Sequence, residues 1–149
     1  MKWCFGIFLI GLITLNFVEN SIGSVSREEA IQKRIEMFKK SGKNIKKLNK
    51  RIRAGDINEA IQLIDFHVMW SKEMHLLFPI GSEASTSNVS DASLDIWTVS
   101  AEFKNSVRRY NMSSKTLKES LQKKDFLSIN KNFEDLVSTC KGCHKQFRN

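Results

Sequence analysis

The sequence predicts an all-α fold, an antiparallel up-down-up-down four-helix bundle, and three observations support this prediction. Four segments carry apolar residues at steps of three and four, the spacing of one helix face. One proline and few alternating apolar-polar runs follow the N-terminal region, so strands are not expected. Two short turns and one longer loop join the segments, as in a bundle of antiparallel neighbours. The 149 residues are enough for one such domain.

The N-terminus has the pattern of an export signal. Met1 and Lys2 precede an apolar run from Trp3 to Val18, and small and polar residues follow. We interpret residues 1–23 as a cleaved signal peptide and residues 24–149 as the bundle domain. The run is shorter than the roughly 20 residues of a membrane span, and an uncleaved anchor is the alternative. Cleavage removes Cys4 and leaves two cysteines, too few for a disulfide framework.

The first two helices have recognisable ends. Ser26 and Glu29 form the sequence pattern of a capping box, which predicts a helix start. Gly55 and Asp56 end this helix and cap the second, which we expect over about 57–77, before Pro79. The inward stripe of the first helix is predicted to be Ile31, Ile35, Phe38, Gly42, Ile45, Leu48 and Ile52.

The second half of the chain contains a loop and two more helices. Residues 83–92 are rich in Ser, Asn and Asp and predict a loop. The third helix is expected to extend from Ile96 to Leu121, and Asp125 caps the fourth. The inward stripe of the fourth helix contains Phe126, Ile129, Phe133, Leu136, Cys140, Cys143 and Phe147.

Cys140-Lys141-Gly142-Cys143-His144 is the attachment signature of a c-type haem. Two thiols on one helical turn can each add to a vinyl group of the same porphyrin, and the next histidine can give a nitrogen to the iron. A redox dithiol is an alternative, but it usually accompanies a β-α-β pattern, which this sequence lacks. A structural zinc site is another, but it needs four protein ligands. We therefore predict one covalent haem c, on Cys140 and Cys143, with His144 as the axial iron ligand.

The net charge of +8 is concentrated between Lys39 and Arg53. We interpret this stretch first as a solvated helix face. A docking face for an acidic redox partner or for anionic lipid is the alternative. Nucleic acid is not expected as a partner of an exported chain without a matching motif.

Together these features resemble the class II c-type cytochromes, the cytochrome c prime family. The resemblance covers nearly all of residues 24–149. It implies a periplasmic four-helix bundle whose haem motif lies at the C-terminus, and a homodimer formed through the first two helices. It rests on the haem motif followed by Phe147 and Arg148, on Leu77-Phe78-Pro79 with Gly81-Ser82, on Ile96-Trp97 with Phe103, and on Arg34.

The resemblance also implies the position of the distal residue, which is the residue on the face of the iron opposite His144. In this family it comes four residues after an arginine of the first helix; here Arg34 is that arginine and Phe38 that position. An apolar residue there implies five-coordinate iron. Met37 lies about 100° around the helix and is the alternative ligand of a six-coordinate, low-spin carrier.

Two arginines, Arg34 and Arg148, each have two alternative roles. Arg34 is expected to pair with a haem propionate or to lie on the surface. Arg148 is expected to approach the proximal side, where in this family it helps a ligand to settle, or to be a surface arginine. The aromatic residues expected in the core or the haem wall are Trp97, Phe103, Tyr110, Phe133 and Phe147.

These residues lead to two main functional hypotheses. The first is a periplasmic cytochrome that binds nitric oxide, or carbon monoxide when reduced, for buffering or sensing, with possible electron transfer to an unidentified partner. The second is an electron carrier with Met37 and His144 as axial ligands. An enzyme is not expected, because the first helix offers no distal His, Arg or acid recognisable as a catalyst. A haem-free interaction bundle is the remaining class.

Overall fold

The computed structural model describes residues 26–149 and confirms the all-α four-helix bundle. The predicted signal peptide and Cys4 lie outside the described residues. Within residues 26–149, no helix combines the length and apolarity that crossing a membrane needs. The long helices are α1 (Arg27–Arg53), α2 (Ile57–Glu73), α4 (Ser100–Gln122) and α5 (Phe126–Phe147), and a short α3 (Asp95–Thr98) precedes α4.

Side chains cap three of the long helices where the sequence predicts. The Ser26 hydroxyl accepts a hydrogen bond from the Glu29 amide at 3.2 Å, and the Glu29 carboxylate accepts one from the Ser26 amide at 2.9 Å. This reciprocal pair confirms the capping box of α1. Asp56 caps α2 through the Glu59 amide at 3.2 Å, and Asp125 caps α5.

Two helix boundaries differ from the prediction. The second helix remains α-helical only to Glu73 and continues as a 3₁₀ turn, Met74–Leu77. The residue before a proline is disfavoured in the α region, and the chain accordingly leaves the helix at Phe78, before Pro79. The third helix is interrupted at Val99 (φ −119°, ψ 52°), so Ile96 belongs to the separate α3.

The helices pack in chain order, α1 on α2, α2 on α4 and α4 on α5, as an up-down-up-down bundle requires. The ring closes only loosely, because α1 and α5 touch each other at few positions. Leu48, Ile64, Leu117, Leu121 and Leu136 are fully buried where the bundle is tightly packed. A cavity lies near the other end, between α1 and the last turns of α5.

Candidate functional site

The cavity has a volume of about 810 Å³ and brings the predicted haem motif together with the predicted distal residue. Cys140, Cys143 and His144 line it from α5, and Phe38 lines it from α1. The volume is within the range of roughly 300–1,000 Å³ that cofactor pockets occupy. Of the other site residues predicted from sequence, the wall includes Arg34, Phe103, Tyr110, Phe147 and Arg148, but neither Met37 nor Trp97.

The two motif thiols are free and half-buried in the cavity wall. Burial raises the pKa of both, that of Cys143 to about 11 with the neighbouring Cys140 adding to the effect. Desolvation, with the Arg148 cation nearby, lowers the pKa of His144. Both effects favour the neutral imidazole, the form that binds a metal, while the side chain as a whole is exposed.

Aromatic rings form one wall of the cavity. Phe103 packs edge-to-face against Phe78, with ring centroids 5.0 Å apart, and against Phe147 at 5.3 Å. Trp97 lies behind this wall and donates its indole N–H to the Phe78 carbonyl at 3.2 Å. Phe78, Phe103 and Phe147 thus present a rigid apolar surface, and Trp97 supports it from outside.

Phe38 and His144 approach each other across the cavity. Their ring centroids are 5.9 Å apart and their planes are inclined by 76°. Trp70 and Phe78 surround the phenyl ring edge-to-face, at 5.5 and 6.5 Å. Met37, about 100° further around the helix, is half-buried and does not line the cavity.

Arg34 is buried, only 3% exposed, so the surface alternative for this residue was wrong. Its Nη1 donates to the Leu77 carbonyl at 3.0 Å and to the Ser82 hydroxyl at 2.7 Å. Its Nη2 donates to the Ser82 carbonyl and, at 2.5 Å, to the Ser90 hydroxyl. The guanidinium also lies 4.7 Å from the centroid of the Phe78 ring. Burial lowers its pKa to about 10, so Arg34 stays charged at neutral pH.

This arrangement makes Arg34 a clamp between α1 and the loop that follows α2. All four terminal N–H groups of the guanidinium have acceptors available in the chain, which leaves Nε for any other ligand. Sequence reasoning missed the clamp because the acceptors lie 43 to 56 residues away.

Arg148 lies at the cavity edge and is held by the same loop. Its guanidinium donates to Asp91 at 3.0 Å, and both side chains are more than half exposed. The Ser93 amide donates to the Phe147 carbonyl at 3.0 Å, and the Asn149 amide to the Asp91 carbonyl at 2.9 Å. These backbone bonds fix the C-terminus against residues 91–93, so Arg148 is both a surface residue and part of the wall.

A buried polar network joins three helices beside the cavity. His67 is 0% exposed, its Nδ1 lies 2.5 Å from the Tyr110 hydroxyl, and its Nε2 lies 2.9 Å from the Asn44 side-chain oxygen. Because that amide oxygen only accepts, Nε2 carries the proton and the phenol donates to Nδ1. Burial lowers the pKa of His67 to about 4 and raises that of Tyr110 above its ordinary value.

The sequence contained a signal for this network and for two further wall residues. From the buried Ile64 of α2, steps of three and four along the sequence lead to His67, Trp70 and Met74. Trp70 and Met74 line the cavity. None of the three was among the site residues predicted from the sequence.

A family model described as cytochrome c prime matches residues 29–148. The chain belongs to the cytochrome c prime family. A comparison with curated proteins found no match. The family carries one covalently bound haem c with its iron, which confirms the cofactor predicted from the motif.

Solved structures share this fold at low sequence identity. Cytochrome c prime from Thermochromatium tepidum is 16% identical and has a TM-score of 0.76; the match covers 85% of this chain and 98% of that one. That from Shewanella frigidimarina is 21% identical, with a TM-score of 0.74 and coverage of 83% and 97%. A nitric oxide complex of a variant from Alcaligenes xylosoxidans is 19% identical, with a TM-score of 0.73 and the same coverage.

The residues of the cavity fit a haem c. Both thiols and the imidazole of His144 line one space, and aromatic and aliphatic side chains form most of its walls. Cys140 and Cys143 would carry the thioether bonds, and His144 would hold the iron, which supplies the site for a diatomic ligand or an electron. Ala92 and Ile96 complete the apolar lining on the side of the loop.

Proposed function

We propose that this chain is an exported, periplasmic monohaem cytochrome whose iron has His144 as its only axial protein ligand, and that it binds nitric oxide, or carbon monoxide when reduced. The observation that carries this proposal is the position of Phe38, which lines the cavity and faces His144, whereas Met37 does not line the cavity. The nitric oxide complex of the Alcaligenes xylosoxidans relative supports the choice of ligand.

Phe38 gives the distal side its selectivity. A phenyl ring has no lone pair for iron, and the rings of Trp70 and Phe78 surround it. Water and anions gain little in such surroundings, whereas a neutral diatomic molecule loses no charge solvation on entering. Because Phe38 is packed between these rings, it must move before a ligand can bind, and binding is slow.

Other residues keep the pocket in this form. Arg34 holds the loop after α2 in place and packs against Phe78, which in turn packs against Phe38. On the proximal side, Arg148 lies at the cavity edge, where a ligand that settles after His144 is released would compete with Asp91 for its guanidinium. The proposal includes electron exchange through the haem and no enzymatic turnover.

The six-coordinate alternative requires α1 to have a different rotation about its axis near Met37. Met37 would need to rotate by about 100° around the helix axis to reach the cavity. The regular helix from Arg27 to Arg53 contains no interruption that would produce such a rotation.

The proposal is tested by measuring the rate at which carbon monoxide binds the reduced mature protein, using stopped flow. We expect slow association in the wild type and an increase of about a hundredfold in Phe38→Ala, because the covering ring is removed. Met37→Ala is the matched control and should remain within about threefold of the wild type. A rate unchanged by Phe38→Ala would contradict the proposal.

A further inference from the structure

The excess positive charge of the chain is confined to one helix. α1 contains eleven Lys and Arg residues against three acidic ones, a surplus equal to the net charge of +8 of the whole sequence. Residues 54–149 therefore carry equal numbers of basic and acidic side chains. Because the surplus charge is concentrated on one helix, the electrostatic field of the protein has a direction and can steer a charged partner toward that helix.

Five cations form a continuous stripe on the outer face of α1: Lys39, Lys43, Lys46, Lys50 and Arg53. Their steps of four, three, four and three place them on one side of the helix, over about 21 Å. All five are exposed, and within residues 26–149 none has an acidic partner in an ion pair. By contrast, Lys47 and Arg51 beside the stripe are paired with Glu59.

The stripe begins where the cavity meets the surface. Lys39 and Gly42 both line the cavity, and Gly42 is exposed, with open space where a Cβ would stand. The cavity edge is therefore uncovered directly beside Lys43. A partner that docks on the stripe would lie over this edge, close to the haem.

We propose that this stripe is the docking surface of an acidic electron-transfer protein, an inference that rests on the electron exchange included in the proposed function. Complementary charge is the property by which such a partner would recognise it. A membrane is a poorer occupant, because none of the exposed large apolar side chains within residues 26–149 belongs to α1. A second copy docked on the stripe itself would place two rows of exposed cations against each other, so a homodimer would use other faces of the first two helices.

The test uses the mature haem-loaded protein and an acidic plant-type ferredoxin as electron donor. Stopped flow measures the bimolecular reduction rate at several ionic strengths. The stripe variant combines Lys43→Gln, Lys46→Gln and Lys50→Gln and leaves Lys39, which lines the cavity, unchanged. The matched control changes three exposed lysines outside α1 and removes the same net charge, Lys72→Gln, Lys115→Gln and Lys123→Gln.

We expect the stripe variant to be reduced at least tenfold more slowly at low salt, with a weaker salt dependence, and the control to stay within threefold. Equal effects of the two triples would overturn the proposal, since net charge alone would then explain the rate. The proposal would also be overturned if the wild type, but not the stripe variant, sedimented with phosphatidylglycerol vesicles or formed dimers. The spectrum of the dithionite-reduced protein is read separately, before and after carbon monoxide is added; a low-spin spectrum that carbon monoxide does not change refutes the proposed haem site and not the docking surface.

Discussion

The phenyl ring of Phe38 stands 5.9 Å from the imidazole of His144, centroid to centroid, with the two planes inclined by 76°. One ring comes from about three turns into α1 and the other from the last turn of α5. The two helices touch each other at few positions, so the cavity between them is shaped mainly by these side chains and by the aromatic wall.

Phe38→Met should convert the site into a six-coordinate one. The substitution places a thioether where the phenyl ring faces His144, and methionine with histidine is the axial pair of low-spin cytochromes. We expect a low-spin visible spectrum and carbon monoxide binding slowed by at least tenfold. Met37→Leu is the control and should keep the wild-type spectrum. A high-spin spectrum in Phe38→Met would show that this position does not reach the iron.

Arg34→Met should lower the free energy of unfolding by about 3 kcal/mol, because it leaves several buried acceptors of the loop without their donor. Guanidinium chloride unfolding followed by circular dichroism measures the loss. Lys33→Met, at an exposed neighbouring position, should remain within about 0.5 kcal/mol of the wild type. Equal losses in the two variants would argue against the clamp.

His67 should make stability depend on pH between about 4 and 6.5. Its folded pKa of about 4 lies below the ordinary 6.5, so the unfolded chain takes up the proton first as the pH falls. Stability from this residue is complete above pH 6.5, and roughly 3 kcal/mol is lost on reaching pH 4.

The measurement is the unfolding free energy of the wild type and of His67→Gln over this pH range. The wild type should lose more stability than the variant, by roughly the 3 kcal/mol expected for this group. His75→Gln, at an exposed histidine, should retain the wild-type slope. Parallel curves for the wild type and His67→Gln would contradict the assignment of a buried neutral imidazole.

Lys124→Gly should stabilise the protein by about 0.5 to 1 kcal/mol. Lys124 has φ 53°, and its amide and that of Asp125 end α4 with the same pair of backbone hydrogen bonds that Gly55, with φ 72°, and Asp56 donate at the end of α1. Thermal unfolding measures the change. Lys123→Gly, one residue earlier with φ −78°, should destabilise instead, and a loss in both variants would refute the explanation.

Local signals in the sequence were sufficient for most of the fold. The Ser26 capping box and the Asp56 and Asp125 caps set helix starts through contacts within three residues, so they are legible without the tertiary structure. The haem motif is equally local. The spacing of apolar residues along α1 predicted Phe38 on the inward face, and in the structure Phe38 lines the cavity.

What the sequence did not reveal depends on distant partners. The role of Arg34 follows from acceptors in a loop whose course no local pattern specifies. The His67 network needs Asn44 and Tyr110 from two other helices. The break at Val99 separates α3 from α4, although the apolar spacing through it is regular. The homodimer implied by the resemblance stays a prediction.

The visible spectrum of the reduced protein, with and without carbon monoxide, tests the five-coordinate haem most directly. We predict a broad high-spin spectrum that sharpens when carbon monoxide is added and that Met37→Ala leaves unchanged. A low-spin spectrum indifferent to carbon monoxide, altered by Met37→Ala and not by Phe38→Ala, would contradict the account.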